Sequence, residues 1–354
     1  MGKKIGILNS GGDCAGLNTV IASVVKTGIS MGYEFIGFEK GWEGILDLHY
    51  RVLDLDAVRG ISHLGGTILK TTNKGRFAGK IGDGGVHEIP REILEEAKSN
   101  LAEIGVDGLV VIGGDGTLSA ALQLSHIGVP IIGVPKTMDN DLSGTDQTFG
   151  FSTAVSVAVE ALDRIHTTAT SHNRVFLVEC MGRHAGWITL FAGLAANANI
   201  ILIPEFNINL DSVMDFLHRR LEHRGSVIIA VAEGIRLPDM SHENAGSETK
   251  LAGASYELMR AIESRSPGEY EMRNIILGHT QRGGSPNVED RILSKKYGIA
   301  AIEAFDRGEF GSMVRLRSGA IETVPIGDAT GNLKLVTYDT REYQVAKKLG
   351  VYVN

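Results

Sequence analysis

The sequence has little cysteine. Only two occur, Cys14 and Cys180, far apart in a chain of 354 residues. This excludes a disulfide framework and a cysteine-based zinc spacing, and it suits a reducing compartment. Long hydrophobic runs are missing too. The apolar stretch at residues 5–8 is too short for the core of a secretion signal, and no later run reaches membrane-spanning length. Positive charge is not in excess. The formal net charge is −7, which argues against a broad electrostatic hold on nucleic acid or on an anionic membrane. No repeat of solenoid period is visible, and nothing around Trp42 or Trp187 indicates base stacking. A cytoplasmic protein without nucleic-acid or membrane partners is expected. Any phosphate it binds must be held by local basic side chains and backbone amides.

What is present is a chain rich enough in apolar residues, 43%, to bury a sizeable core. Its length suggests two domains of about 150 residues. Short apolar runs recur at residues 5–8, 108–112, 130–134, 175–178, 200–203, 227–231 and 274–277, each ending in glycine or a polar turn. Continuous runs of this kind suit strands buried on both faces, hence a parallel sheet. Between them lie helical patterns. Pro90 opens one in which Ile93, Leu94, Ala97, Leu101 and Ile104 share a face, and residues 210–223 carry Val213, Phe216, Leu217 and Leu221 opposite charges. The fold class is α/β, in doubly wound units. A domain change is expected near Gly150, after a loop rich in Gly, Asp, Thr and Ser, and a polar surface loop at residues 236–250.

Four groups of residues carry chemistry. Ser10-Gly11-Gly12-Asp13, with Gly16, follows the first apolar run and precedes a helical pattern. Glycines there let backbone approach phosphate, and the helix offers free N–H groups; a tight turn without ligand accounts for them equally well. Gly113-Gly114-Asp115-Gly116-Thr117 follows the second run. An acid among glycines repels phosphate unless Mg²⁺ intervenes, and strand carboxyl ends are where open α/β sheets bind ligands. The alternative is a turn with a capping Asp or Thr. Lys136-Thr137-Met138-Asp139-Asn140-Asp141 follows the third run. Asp139 and Asp141 can divide base and metal duties, with Lys136 and Thr137 as donors; an Asx-rich turn would read the same way. Last come basic residues near strand ends: Arg174, Arg183 with His184, Arg273, His279 and Arg282. Together they suggest a small polyanionic substrate, although any one of them alone is an ordinary surface arginine. Cys14, inside the first loop, and Cys180 read as small buried residues.

These motifs, in this order and over nearly the whole chain, resemble the phosphofructokinase family. SGGDCAGLN at residues 10–18 and GGDGT at 113–117 are similar to its nucleotide loops, and PKTMDND at 135–141 to its catalytic loop. SHNR at 171–174, MGRHAG at 181–186, AEG at 232–234 and GHTQRGGSP at 278–286 are similar to its sugar-phosphate elements. The resemblance implies ATP- and Mg²⁺-dependent transfer to the 1-hydroxyl of fructose 6-phosphate, a step of glycolysis. Asp139 would be the base, Thr137 and Arg183 would support the moving phosphoryl group, and Asp115 with Asp141 would handle Mg²⁺. Gly11, Gly12, Gly113, Gly116 and Thr117 would line the donor, joined by Lys74 or Arg76 where relatives carry an arginine after Gly65-Gly66-Thr67. Met181, Gly182, Glu233, His279 and Arg282 would hold the sugar phosphate. Arg174 and Arg273 would complete the site of a neighbouring subunit, which implies a homo-oligomer, a tetramer.

The implied fold is two doubly wound, mainly parallel-sheet domains. Residues 1–150 with about 281–330 would bind nucleotide, and about 151–280 with 331–354 would bind the sugar phosphate. On the donor, Gly116 leaves room for ATP where pyrophosphate-using relatives place Asp, while Lys136 is the residue of the pyrophosphate type. A pyrophosphate-dependent enzyme and a sugar-phosphate-sensing regulatory subunit are the alternatives. The regulatory site of the family's bacterial members uses arginines where this chain has Ala22 and Lys26, and a carboxylate where it has Asn199, so a response to the usual bacterial effectors is not expected.

Overall fold

Unbroken runs of Ile, Val and Leu make the central strands, and each stops where glycine or a polar turn follows. The computed structural model describes residues 2–77, 88–237 and 253–354. It divides into two units. The first comprises Met1–Met138, Leu142–Thr153 and Arg282–Leu333. It opens with β1 (Lys4–Asn9), α1 (Leu17–Ser30), β2 (Glu34–Phe38), α2 (Trp42–Leu46) and β3 (Tyr50–Val52). Then come α3 (Arg91–Glu103), β4 (Gly108–Gly113), α4 (Asp115–His126) and β5 (Ile131–Pro135).

The second unit comprises Asp139–Asp141, Ala154–Gln281 and Lys334–Asn354. It takes most of α5 (Phe151–His172), then β6 (Val175–Cys180), α6 (Trp187–Ala195), β7 (Ile200–Leu202) and α7 (Leu210–Arg224). β8 (Val227–Ala232), α8 (Ala254–Arg265) and β9 (Met272–Ile276) follow. The chain returns to the first unit for α9 (Val288–Asp306), β10 (Ser312–Arg317), β11 (Ala320–Pro325) and α10 (Ile326–Ala329). It ends in the second unit with α11 (Arg341–Lys348) and β12 (Tyr352–Val353).

Among the described residues the first unit holds a seven-stranded sheet in the order β11-β10-β5-β4-β1-β2-β3. Its five inner strands are parallel and its two edges antiparallel. β4 is buried at every position, as a strand covered on both faces must be. Leu8, Leu109, Val111 and Ile131 pack with Trp42, Leu94, Ala97, Leu101, Leu118 and Leu124. The helical stripe expected from Pro90 onward thus faces this core. The order reverses between β1 and β4, so the loops after these neighbouring strands diverge at a topological switch point. The second unit holds a parallel five-stranded sheet, β12-β7-β8-β6-β9. Val213 and Leu217 of α7 are fully buried against it, with Phe216 and Leu221 partly so.

The α/β class and the mainly parallel sheets agree with the sequence reading. Five strands escaped it: β2, β3, β10, β11 and β12. β11 alternates exposed and covered residues, as edge strands do, and leaves no continuous apolar run. The domain limits also differ in detail. The chain leaves the first unit after Thr153, and Asp139–Asp141 group with the second unit, not with residues 1–150. Apart from Arg236 and Leu237, the segment 236–250 lies outside the described residues. Among the described residues no helix is long and apolar enough to cross a membrane.

Candidate active site

In the first unit, three strand-end loops come together. Backbone pairing continues past the strands: Ser10 N–H donates to Ile112 O (3.2 Å), and Lys136 N–H to Gly113 O (2.8 Å). A Cβ on Gly114 would lie 3.3 Å from the carbonyl oxygen of Lys136 and 3.9 Å from Cβ of Thr137, so the second loop and the start of the third pack side by side. Lys136 is buried, and its ammonium donates to the carbonyl of Gly12. Arg282 lies on the same glycine loop. Its guanidinium donates to Asp13 O at 3.2 Å, and a Cβ on Gly12 would stand 2.8 Å from it. Any larger residue at position 12 would displace this arginine.

Two buried asparagines that the sequence reading passed over hold a fourth segment against the first loop. Asn18 donates to Leu64 O and Gly65 O and accepts from Ile68 N–H; Asn9 donates to Lys70 O and accepts from the Thr67 hydroxyl. Gly11 N–H then donates to Thr72 O, and the Thr71 hydroxyl to Gly11 O. Unpairing one buried polar group of this kind costs about 1–3 kcal/mol. Lys74 emerges exposed just beyond. Arg76 does not share its freedom, because its guanidinium is paired with Glu43 and Asp47, which push its pKa up. Of the two candidates for the donor-phosphate contact, Lys74 is the one without an ion pair among the described residues.

Asp115 begins α4, and one of its oxygens accepts Gly331 N–H at 2.8 Å. Gly114, the N-cap, supplies no side-chain cap, and a negative charge is favoured at this end of a helix. Among the described residues no group of three or more His, Cys, Asp or Glu is placed to hold a metal ion. Mg²⁺ asks for less: it takes one or two carboxylates, keeps waters and shares substrate phosphates. A hard carboxylate such as Asp115 fits that mode of binding. Cys14 is inert, since burial pushes its thiol up to about 12.

In the second unit, the carboxyl edge of the sheet gathers Met181, Gly182, Arg183, Glu233 and His279. Gly182 and Arg183 have positive φ, 153° and 51°. Both their N–H groups donate to one oxygen of Glu233, at 3.1 and 2.9 Å. Met181 N–H goes to the Gln281 side chain at 2.8 Å. Gly234 is dictated by packing, because a Cβ there would fall 1.8 Å from the Arg183 carbonyl oxygen. The Arg183 and His279 side chains stay exposed.

Asp139 and Asn140 are buried, and Asn140 adopts a left-handed backbone, φ 54°. Lys334, which no sequence pattern marked, donates to Asn140 Oδ1 at 2.9 Å. Arg174 and Arg273 lie at the opposite, amino edge of the sheet. Both reach Glu271, at 2.6 and 2.7 Å. Asn199, singled out as a regulatory position, links strands: its side chain accepts from Ile228 N–H and its carbonyl from Tyr352 N–H.

Comparison with known proteins identifies the family. The family model described as phosphofructokinase matches residues 4–305. An ATP-dependent 6-phosphofructokinase of Chloroflexus aggregans is 47% identical over 352 residues, 99% of this chain and 97% of that one. A pyrophosphate–fructose 6-phosphate 1-phosphotransferase of Streptomyces coelicolor is 45% identical over 342 residues, 94% and 96% of the two chains. The solved phosphofructokinase of Saccharomyces cerevisiae superposes on 92% of this chain with a TM-score of 0.79 at 31% identity, and this chain spans 45% of that longer one. The family's model covers both units, and relatives of either donor type align over nearly all of the sequence: the chain belongs to the phosphofructokinase family.

Proposed function

We propose that the protein transfers the γ-phosphoryl group of ATP, with Mg²⁺, to the 1-hydroxyl of fructose 6-phosphate. The observation that carries this reading is the packing of Gly113–Thr117 against Lys136 and Thr137, two residues before the buried Asp139. A glycine loop opening a helix suits phosphate, and the adjoining stretch of chain supplies a carboxylate base. Asp139 takes the proton of the attacking hydroxyl, a role worth about 10²–10⁴ in rate. Thr137 and Arg183 stabilise the moving group. Gly11, Gly12, Gly116, Thr117 and Lys74 serve the donor, so the first unit is its domain. Asp115 and Asp141 would hold Mg²⁺, which would neutralise charge on the transferring group.

In this reading Met181, Gly182, Glu233, His279 and Arg282 bind the sugar phosphate. Arg174 and Arg273 act on a neighbouring subunit's substrate. What supports this is their place at the amino edge of β6 and β9, about 20 Å of strand from Arg183. A homo-oligomer follows from that role, a tetramer is what the family resemblance implies, and a cytoplasmic setting suits the reaction.

ATP is favoured as donor because Gly116, in the first turn of α4, presents no side chain toward a nucleotide. A second reading, pyrophosphate as donor, draws on Lys136 and on the Streptomyces relative. Assaying fructose 6-phosphate with ATP, ADP, GTP and pyrophosphate separates them. Turnover with ATP is expected, and turnover with pyrophosphate alone would replace the first reading by the second.

A further inference from the structure

Lys334 opens the C-terminal stretch of the second unit, and its backbone and side chain are both engaged. Its N–H donates to Asp141 O at 2.8 Å, its ammonium to Asn140 Oδ1 at 2.9 Å, and its carbonyl accepts the indole N–H of Trp187 at 2.7 Å. The ammonium also stands 5.5 Å from the centre of the Trp187 ring. Two residues on, Val336 N–H donates to Glu205 Oε1 at 3.0 Å, and the same oxygen accepts Gly186 N–H at 2.8 Å. Residues 334–336 are thus stitched both to the segment bearing Asp139 and Asp141 and to the end of the 181–186 loop.

Asn140 holds a left-handed backbone, uncommon outside glycine and best tolerated there by asparagine. The flanking aspartates point where that backbone sends them. We infer that Lys334 is a positioning residue for phosphoryl transfer: by clamping Asn140 against Trp187 it keeps Asp139 and Asp141 in their working directions. The inference rests on the function proposed above.

Steady-state kinetics of the full-length protein test it. Lys334→Met keeps the aliphatic stem and removes the donor. It should lower kcat at least tenfold while KM for fructose 6-phosphate stays within twofold, and Lys334→Arg should restore kcat to within threefold of wild type. Asn140→Gly accepts the left-handed backbone and removes the acceptor, so adding Lys334→Met to it should change kcat no further. With Trp42→Phe, Trp187 is the only tryptophan, and Lys334→Met should shift its emission. An unchanged kcat in Lys334→Met, equal losses in the Met and Arg variants, or an unmoved Trp187 emission would each overturn the inference. A wild-type chain inert toward fructose 6-phosphate with both donors would overturn the functional reading as well, whereas an active wild type with an indifferent Lys334→Met overturns this inference alone.

Discussion

At the carboxyl edge of the five-stranded sheet, Arg183 follows a left-handed turn whose N–H groups Glu233 holds in place. At the amino edge, Arg174 and Arg273 close on the side chain of Glu271, which they hold below the ordinary carboxylate range. The residue type is the same and the setting opposite. At the first edge, loops leave the strands toward helix starts, backbone geometry is strained, and one acid orients the main chain while the arginine stays unpaired with it. At the second edge, two arginines share one acid in exposed ion pairs, which are screened by salt and contribute little to stability. A substrate phosphate can therefore displace Glu271 readily. Arginines of a type suited to phosphate thus stand at both ends of the sheet, but a strand's length apart. Within one chain the two ends cannot serve one small substrate.

The largest expected effect lies with Asp139, the buried acid next in sequence to the Asn140 that Lys334 holds. Asp139→Ser should lower kcat by about 10³ with little change in KM for fructose 6-phosphate, as loss of a general base does; steady-state rates decide it, and an unaltered kcat removes Asp139 from the role. The amino edge should behave differently. Arg174→Ala should raise that KM by about thirtyfold, roughly 2 kcal/mol for a lost charge-assisted bond, and spare kcat. Co-expressing Asp139→Ser chains with Arg174→Ala chains should recover activity, since a mixed assembly builds some sites from intact halves. No recovery would break the assignment of the two edges to different subunits.

A smaller effect is expected at the first unit. Gly116→Asp should reduce kcat/KM for ATP about tenfold and leave pyrophosphate use, where present, unchanged. Equal losses with both donors would mean that position 116 does not face the nucleotide.

The smallest effect concerns stability at the carboxyl edge. Burial holds the Glu205 carboxyl above its ordinary range, although Gly186 and Val336 N–H groups pull it down. Below the ordinary value both folded and unfolded chains carry the proton, and the stabilisation is complete. As pH rises through the raised folded value, the unfolded chain ionises first and stability falls. Glu205→Gln should flatten that decline, above the ordinary carboxylate range, in urea-unfolding midpoints. A decline as steep as wild type's would point to another group.

Much of the fold was legible because strands buried on both faces must be continuously apolar. Residues 108–112 and 227–231 announced themselves for that reason, and the glycine-rich stretches behind 5–8 and 108–112 lie at carboxyl ends. β11 could not be read that way, since an edge strand needs only every second residue covered. The site was legible where its residues are close in sequence, as in GGDGT and KTMDND. Partners distant in sequence were invisible: Asn18 is 50 residues from Ile68, and Lys334 is 194 from Asn140. Nor could composition separate Lys74 from Arg76, because the difference lies in Glu43 and Asp47, which only the folded chain brings to Arg76.

By itself the sequence determined the α/β class, the glycine loops and which charged residues stand beside them, because periodicity and short-range spacing suffice for these. The scarcity of cysteine, long apolar runs and positive charge had already turned the question toward local phosphate chemistry. Only the tertiary structure decided which of those charges meet. Parallel register set Arg174 beside Arg273 and a strand's length from Arg183, and the return of the chain at Lys334 locked Asn140. Such pairings depend on long-range packing, and no local pattern encodes them.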